Sequence, residues 1–79
     1  MIVLTVINHE KTINLTIAHR VRELREAKGF TQKDLAEKIG TKQPSIARIE
    51  SGRKIPQIQI LLKIAKVLSV RLIVEFVEE

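Results

Sequence analysis

Four side chains in the stretch Gln43-Pro44-Ser45-Ile46-Ala47-Arg48 have the chemistry to read the edge of a base pair. The Gln43 amide can pair bidentately with adenine, and the Arg48 guanidinium can pair with guanine. Pro44 and Ala47 can pack on a thymine methyl, and the small Ala47 lets a helix axis come close to the bases. Arg48 serves equally well as a phosphate contact. Each residue advances about 100° around a helix. Ile46 and Ile49 therefore fall on one side, and Gln43, Pro44, Ala47 and Arg48 on the other. A solvated face on a small protein usually carries Glu, Lys and Asp, whereas this one carries an amide, a ring, a methyl and a guanidinium. Around it stand Thr31, Gln32, Lys42, Ser45, Arg53 and Lys54, all polar or cationic. Thr31 and Gln32 open a helix whose free N–H groups and positive dipole end favour an anion. Such contacts give register and salt-dependent affinity but read no sequence. For any single lysine among them, a solvated charge is an equally good interpretation.

These groups must be held by two short helices meeting at a tight turn. Thr31 is a good N-cap, and Leu35, Ala36 and Ile39 form one apolar stripe behind it. Gly40 follows where the helix must stop with φ > 0. Thr41 can cap the second helix, with Pro44 in its first turn, where a missing N–H costs little. Ile46 and Ile49 face back toward the first helix, and Ala36 is small enough for a close crossing.

The run TQKDLAEKIGTKQPSIARIESG, Thr31 to Gly52, resembles the helix-turn-helix of lambda-repressor-like and Cro-like regulators, the Xre family. The resemblance covers about Ile17 to Leu68. It implies a mainly α fold, a bundle of four to five helices that binds double-stranded DNA. It also implies that Gln43 reads a base at the start of the recognition helix and that Gln32 bonds a phosphate. Arg25, at the end of the first helix, is then expected to pair with Glu50 as scaffold. A helical hairpin within some other small bundle explains the apolar positions equally well, but leaves the polar face of the second helix unexplained.

Composition narrows the alternatives. Seventy-nine residues make one domain, and a chain this short buries only about 60% of its unfolded surface. The net charge of +5 and pI near 10.0 suit a polyanion. Aromatic content is 3%, without Trp or Tyr, so base stacking on rings is a poor fit and single-strand binding loses ground. No Cys is present, which excludes disulfides, thiolate nucleophiles and zinc knuckles. His9 and His19 form no cluster at metal-ligand spacing, and no Gly-rich phosphate loop occurs. We therefore expect no catalytic residue, metal or cofactor. Met1 to Ile7 is apolar but too short to span a bilayer, and it lacks the flanks of a signal peptide. The expectation is a cytoplasmic protein without a membrane partner.

The chain divides into an arm (1–16), the helix-turn-helix domain (17–68) and a C-terminal strand (69–79). Ile2 to Ile7 is β-branched and apolar and predicts a strand. Asn8 to Lys11 predicts a turn, and Thr12 to Leu15 a short returning arm, with Asn14 or Thr16 as the alternative cap of the first helix. That helix runs to about Lys28, and Gly29 ends it. Phe30 is then expected to plug the core. The last helix spans about Gln57 to Leu68. It has two apolar faces, Ile58/Leu61/Leu62/Ala65/Leu68 and Ile60/Ile64/Val67. Together they cover roughly 220°, where a surface helix needs little more than 100°. In Val70 to Val77, residues Val70, Leu72, Val74 and Phe76 share one face by alternation.

A lone strand must pair. Its candidates are Ile2 to Ile7 and its own copy in another subunit. We expect a homodimer whose terminal strands form a small shared sheet, with Ile60, Ile64, Val67, Leu72, Val74 and Phe76 in the interface. A monomer with an internal ribbon is the alternative. Two recognition helices related by a twofold axis read an inverted repeat with half-sites about 34 Å apart. The strand RLIVEFVEE after the helical core also resembles HigA-like and HipB-like antitoxins. That resemblance implies an autoregulating repressor with a cognate toxin partner. A stand-alone phage-like or restriction-control repressor is the alternative, and an adaptor that has lost DNA binding is a third.

Overall fold

A computed structural model describes residues 2–4, 10–53, 55–76 and 78 of the chain. In chain order the elements are strand β1 (Ile2–Leu4), helices α1 (Glu10–Ala27), α2 (Gln32–Ile39), α3 (Gln43–Glu50) and α4 (Ile58–Val67), and strand β2 (Leu72–Val74). The mainly helical architecture with four helices agrees with the expected class. α3 lies between α1 and α2, α4 packs on α2, and the strands lie against α1 and α4. The core is one cluster in which Val21, Leu35, Ile46, Ile64 and Leu68 are fully enclosed. Phe30 packs against it as expected, and the Lys38 ammonium sits 4.8 Å from its ring centre.

Both ends of α2 have visible causes. Thr31 accepts a hydrogen bond from the Asp34 N–H at 3.0 Å, while the Asp34 carboxylate accepts from the Thr31 N–H at 2.9 Å. This reciprocal box satisfies two donors that a helix start leaves orphaned. At the other end Gly40 adopts φ 77°, ψ 33°, a left-handed conformation that costs a side-chain-bearing residue about 1–2 kcal/mol. The Thr41 N–H then closes α2 on the Ala36 carbonyl at 2.8 Å. Thr41, expected to cap the second helix, instead closes α2 through its backbone N–H. The N-cap of α3 is Lys42, without a side-chain bond, and Pro44 falls in the first turn as expected.

Two further expectations need correction. First, α1 starts at Glu10, so the second half of the anticipated arm is helix. Ile13 and Asn14 sit one turn before the buried Ile17 and Ala18 and extend the same inward stripe. The predicted turn at Asn8 and His9, and residues 5–7 of the predicted strand, lie outside the described residues.

Second, the split of α4 is different. Leu61, Ile64, Ala65 and Leu68 face the core, whereas Ile58 (47% exposed) and Leu62 (54%) face outward. Ile64, assigned to a dimer interface, is fully enclosed by its own chain, because Leu61, Ala65 and Leu68 on the same side already define the inward direction. Ile60 and Val67 pack partly against this core.

Of the two partners expected for the C-terminal strand, β2 pairs with the one in its own chain, β1, in parallel, with Ile2 beside Leu72, Val3 beside Ile73 and Leu4 beside Val74. The chain thus forms the internal ribbon by itself. Leu72, also assigned to the interface, packs partly on the chain's own core, while Val74 (55%) and Phe76 (105%) remain exposed.

Candidate nucleic-acid interface

α3 is eight residues long and shows two distinct sides. Ile46 and Ile49 are buried against α1 and α2. Gln43, Pro44, Ser45 and Arg48 are exposed, and Ala47 is half-buried. The side of α3 expected to face outward is therefore open to solvent at Gln43, Pro44 and Arg48, with only the Ala47 methyl partly covered. Thr31, Lys42 and Arg53 are also exposed, and Gln32 is half-buried. Lys54 lies outside the described residues.

A polar chain runs from the interior to this face. Arg25 donates twice to Glu50, from Nε to Oε2 at 2.7 Å and from Nη2 to Oε1 at 3.0 Å. A third bond goes from Nη1 to the Phe30 carbonyl at 2.6 Å. The side chains of Arg25 and Glu50 are 10% and 3% exposed. A charge-assisted fork this well shielded fixes the end of α1 to the end of α3. The bond to Glu50 raises the Arg25 pKa above its ordinary value, against a smaller opposing effect of burial.

Gln32 then donates from Nε2 to Glu50 Oε1 at 3.2 Å, and Gln43 donates from Nε2 to Gln32 Oε1 at 2.7 Å. A primary amide has two N–H donors and a carbonyl. Gln43 therefore keeps one N–H and its Oε1 for another partner. Those are the groups a bidentate adenine contact requires.

The expected Arg25–Glu50 pair is thus present, and α2 and α3 bring Gln32 and Gln43 together. The hydrogen bond between the two glutamines is what residue spacing alone did not reveal. Its only sequence signal is that each amide stands in the first turn of its helix, one on either side of Gly40. Ser51 closes the other end of α3, its hydroxyl donating to the Arg48 carbonyl at 2.7 Å. Beside the exposed face, Thr41, Ser45, Arg48, Ile49, Ile55, Pro56, Gln57 and Ile60 line a cleft of about 200 Å³.

A capped helix, a left-handed glycine and a second helix with its polar side free define the helix-turn-helix class. The helix-turn-helix family model matches residues 21–74, and the chain belongs to that family, of the Xre and lambda-repressor-like type. That family is one of DNA-binding regulators.

Among similar proteins, Endothelial differentiation-related factor 1 of Homo sapiens is 42% identical over 64 residues, which are 81% of this chain and 43% of that protein. Multiprotein-bridging factor 1 of Schizosaccharomyces pombe is 38% identical over 61 residues, 77% of this chain and 41% of that one. An uncharacterized HTH-type transcriptional regulator of Archaeoglobus fulgidus is 38% identical over 53 residues, 67% of this chain and 76% of that protein. The chain spans about two fifths of the length of the first two relatives. The crystal structure of the restriction-modification controller protein C.AhdI from Aeromonas hydrophila matches with a TM-score of 0.75 and 28% identity, covering 81% of this chain and 93% of that one.

Proposed function

We propose that the protein is a sequence-specific repressor that binds double-stranded DNA as a homodimer, with α3 in the major groove of each half of an inverted repeat. The observation that carries this is the exposed Gln43 amide, oriented by Gln32 yet retaining a free N–H and carbonyl. Gln43, Pro44, Ala47 and Arg48 meet base edges, while Thr31, Gln32, Lys42, Ser45, Arg53 and Lys54 lie along the phosphates. Repression works by occupancy: the bound dimer blocks polymerase in the cytoplasm.

Similarity to a restriction-modification controller over most of that protein's length supports a stand-alone regulator. The antitoxin role draws on the exposed Val74 and Phe76, which a partner's strand or groove could cover. The adjacent gene separates these two: a toxin whose activity this protein neutralises establishes the antitoxin role, and a restriction enzyme in that place removes it. The relative named a multiprotein-bridging factor favours an adaptor as a second reading.

Duplex binding across a salt series tests the proposal against the adaptor. A duplex selected from a random pool should be an inverted repeat, and its affinity should fall steeply with salt. Binding without duplex preference and without salt dependence contradicts DNA recognition and favours the adaptor.

A further inference from the structure

We infer that two copies of the chain join edge to edge through β2, antiparallel, with the twofold axis passing at Ile73. This rests on the homodimer proposed above and specifies its contact.

β1 and β2 form a two-stranded parallel sheet, and no described strand covers the other edge of β2. Parallel pairing is less stable per residue than antiparallel pairing and usually occurs inside larger, covered sheets. A two-stranded sheet is marginal in water. Free edges are normally blunted by lysine, proline or an inward charge. The centre of β2 is instead Leu72-Ile73-Val74, followed by the fully exposed Phe76. This edge has the character of one that is paired.

The sequence of the strand chooses the occupant. Val70-Arg71-Leu72-Ile73-Val74-Glu75-Phe76 is chemically symmetric about Ile73. An antiparallel copy centred there sets Arg71 against Glu75 of the second copy, and Glu75 against its Arg71. It also sets Leu72 against Val74, and Val70 against Phe76. Opposite charges directly across an antiparallel pair stabilise it, and like charges destabilise it. Centring on Leu72 sets Arg71 against Ile73, and centring on Val74 sets Glu75 against Ile73, so either shift loses both ion pairs. Parallel in-register pairing sets Arg71 beside Arg71. Arg71 and Glu75 are both exposed, and neither makes an ion pair with a described residue. The antiparallel pairing extends the two-stranded ribbon to four strands, β1-β2 and its copy, with both β2 strands interior.

Charge exchange tests the register. In sedimentation equilibrium, Arg71→Glu and Glu75→Arg should each weaken the dimer about tenfold, since each places like charges at two symmetric positions. The double variant restores the ion pairs with reversed polarity and should return to within about threefold of the parent. Because the chain has no cysteine, Ile73→Cys supplies a single thiol. Residues directly opposite in an antiparallel pair have Cα atoms about 4.5–5.5 Å apart, within reach of a disulfide. Oxidised Ile73→Cys should form a covalent dimer, whereas Leu72→Cys alone should not. A dimer that ignores the reversals and leaves Ile73→Cys uncrosslinked overturns this contact while leaving the homodimer standing. A chain that stays monomeric at about 100 µM, well above typical dissociation constants, overturns both.

Discussion

At the scale of single residues, Gln43 is separable from the scaffold beneath it because its side chain is exposed and hydrogen-bonds to that scaffold through Gln32. Gln43→Ala should lower discrimination at one base position by about 1–3 kcal/mol, measured as affinity for matched and mismatched duplexes. Arg53→Ala should weaken all sequences alike and reduce the salt slope by about one. Glu50→Ala is of another kind. It leaves the shielded Arg25 charge unpaired and should cost about 3–5 kcal/mol in denaturant unfolding. The raised Arg25 pKa gives stability that is fully present below the ordinary arginine value, neutral pH included, and is lost only as pH rises through the folded one. Asp34 works in the opposite direction. The Thr31 backbone N–H holds its carboxyl below the ordinary value. Its contribution is present above the unfolded aspartate pKa and is lost as pH falls through the folded one. An acid unfolding series should therefore show less loss for Asp34→Asn than for the parent. The residues of the exposed α3 face and the Arg25–Glu50 pair were legible in the sequence. The Gln32–Gln43 bond was not, because it depends on how far apart the two helix starts lie in space.

At the scale of elements, α2 and the turn were the most legible part. Thr31, Asp34 and Gly40 each satisfy a local backbone requirement that needs no tertiary information. α1 and α4 were less so. Asn14 belongs to the buried side of α1, although its residue type reads as a cap. In α4 apolar residues lie on so much of the circumference that angle alone cannot say which part faces inward. Leu61 and Ile64 lie in the common core, on the helix that packs against α2. The turn glycines offer a graded test. A Cβ at Gly40 meets nothing within 4 Å, so Gly40→Ala bears only the left-handed strain, about 1–2 kcal/mol. A Cβ at Gly52 carries φ 74° as well as a contact at 3.1 Å with the Leu15 side chain. Thermal unfolding should rank Gly52→Ala below Gly40→Ala, with both below the parent.

At the scale of the whole molecule, the question is how one small domain obtains enough contact to be selective. A single α3 reaches only a few base pairs. Two of them about 34 Å apart define a palindrome and double the discrimination. The terminal strands and the possibility of their pairing within the chain were legible, but the parallel direction was not, since two apolar strands far apart in sequence carry no mark of direction. The fold leaves Val74 and Phe76 in solvent at one end and the α3 face in solvent elsewhere. Assembly and DNA contact can therefore be altered independently. Charge reversal at Arg71 should lower operator affinity at protein concentrations near the dimer dissociation constant and leave the preferred sequence unchanged, as read by duplex competition.

The most direct test scans a selected operator with 7-deazapurines, each of which removes one N7 acceptor from the major groove and alters nothing in the minor groove. Binding should weaken about tenfold or more at an adenine in each half-site, and Gln43→Ala should abolish that sensitivity without adding to the loss. If no purine in either half-site responds to losing its N7, α3 does not enter the major groove, and the proposed mode of recognition is contradicted.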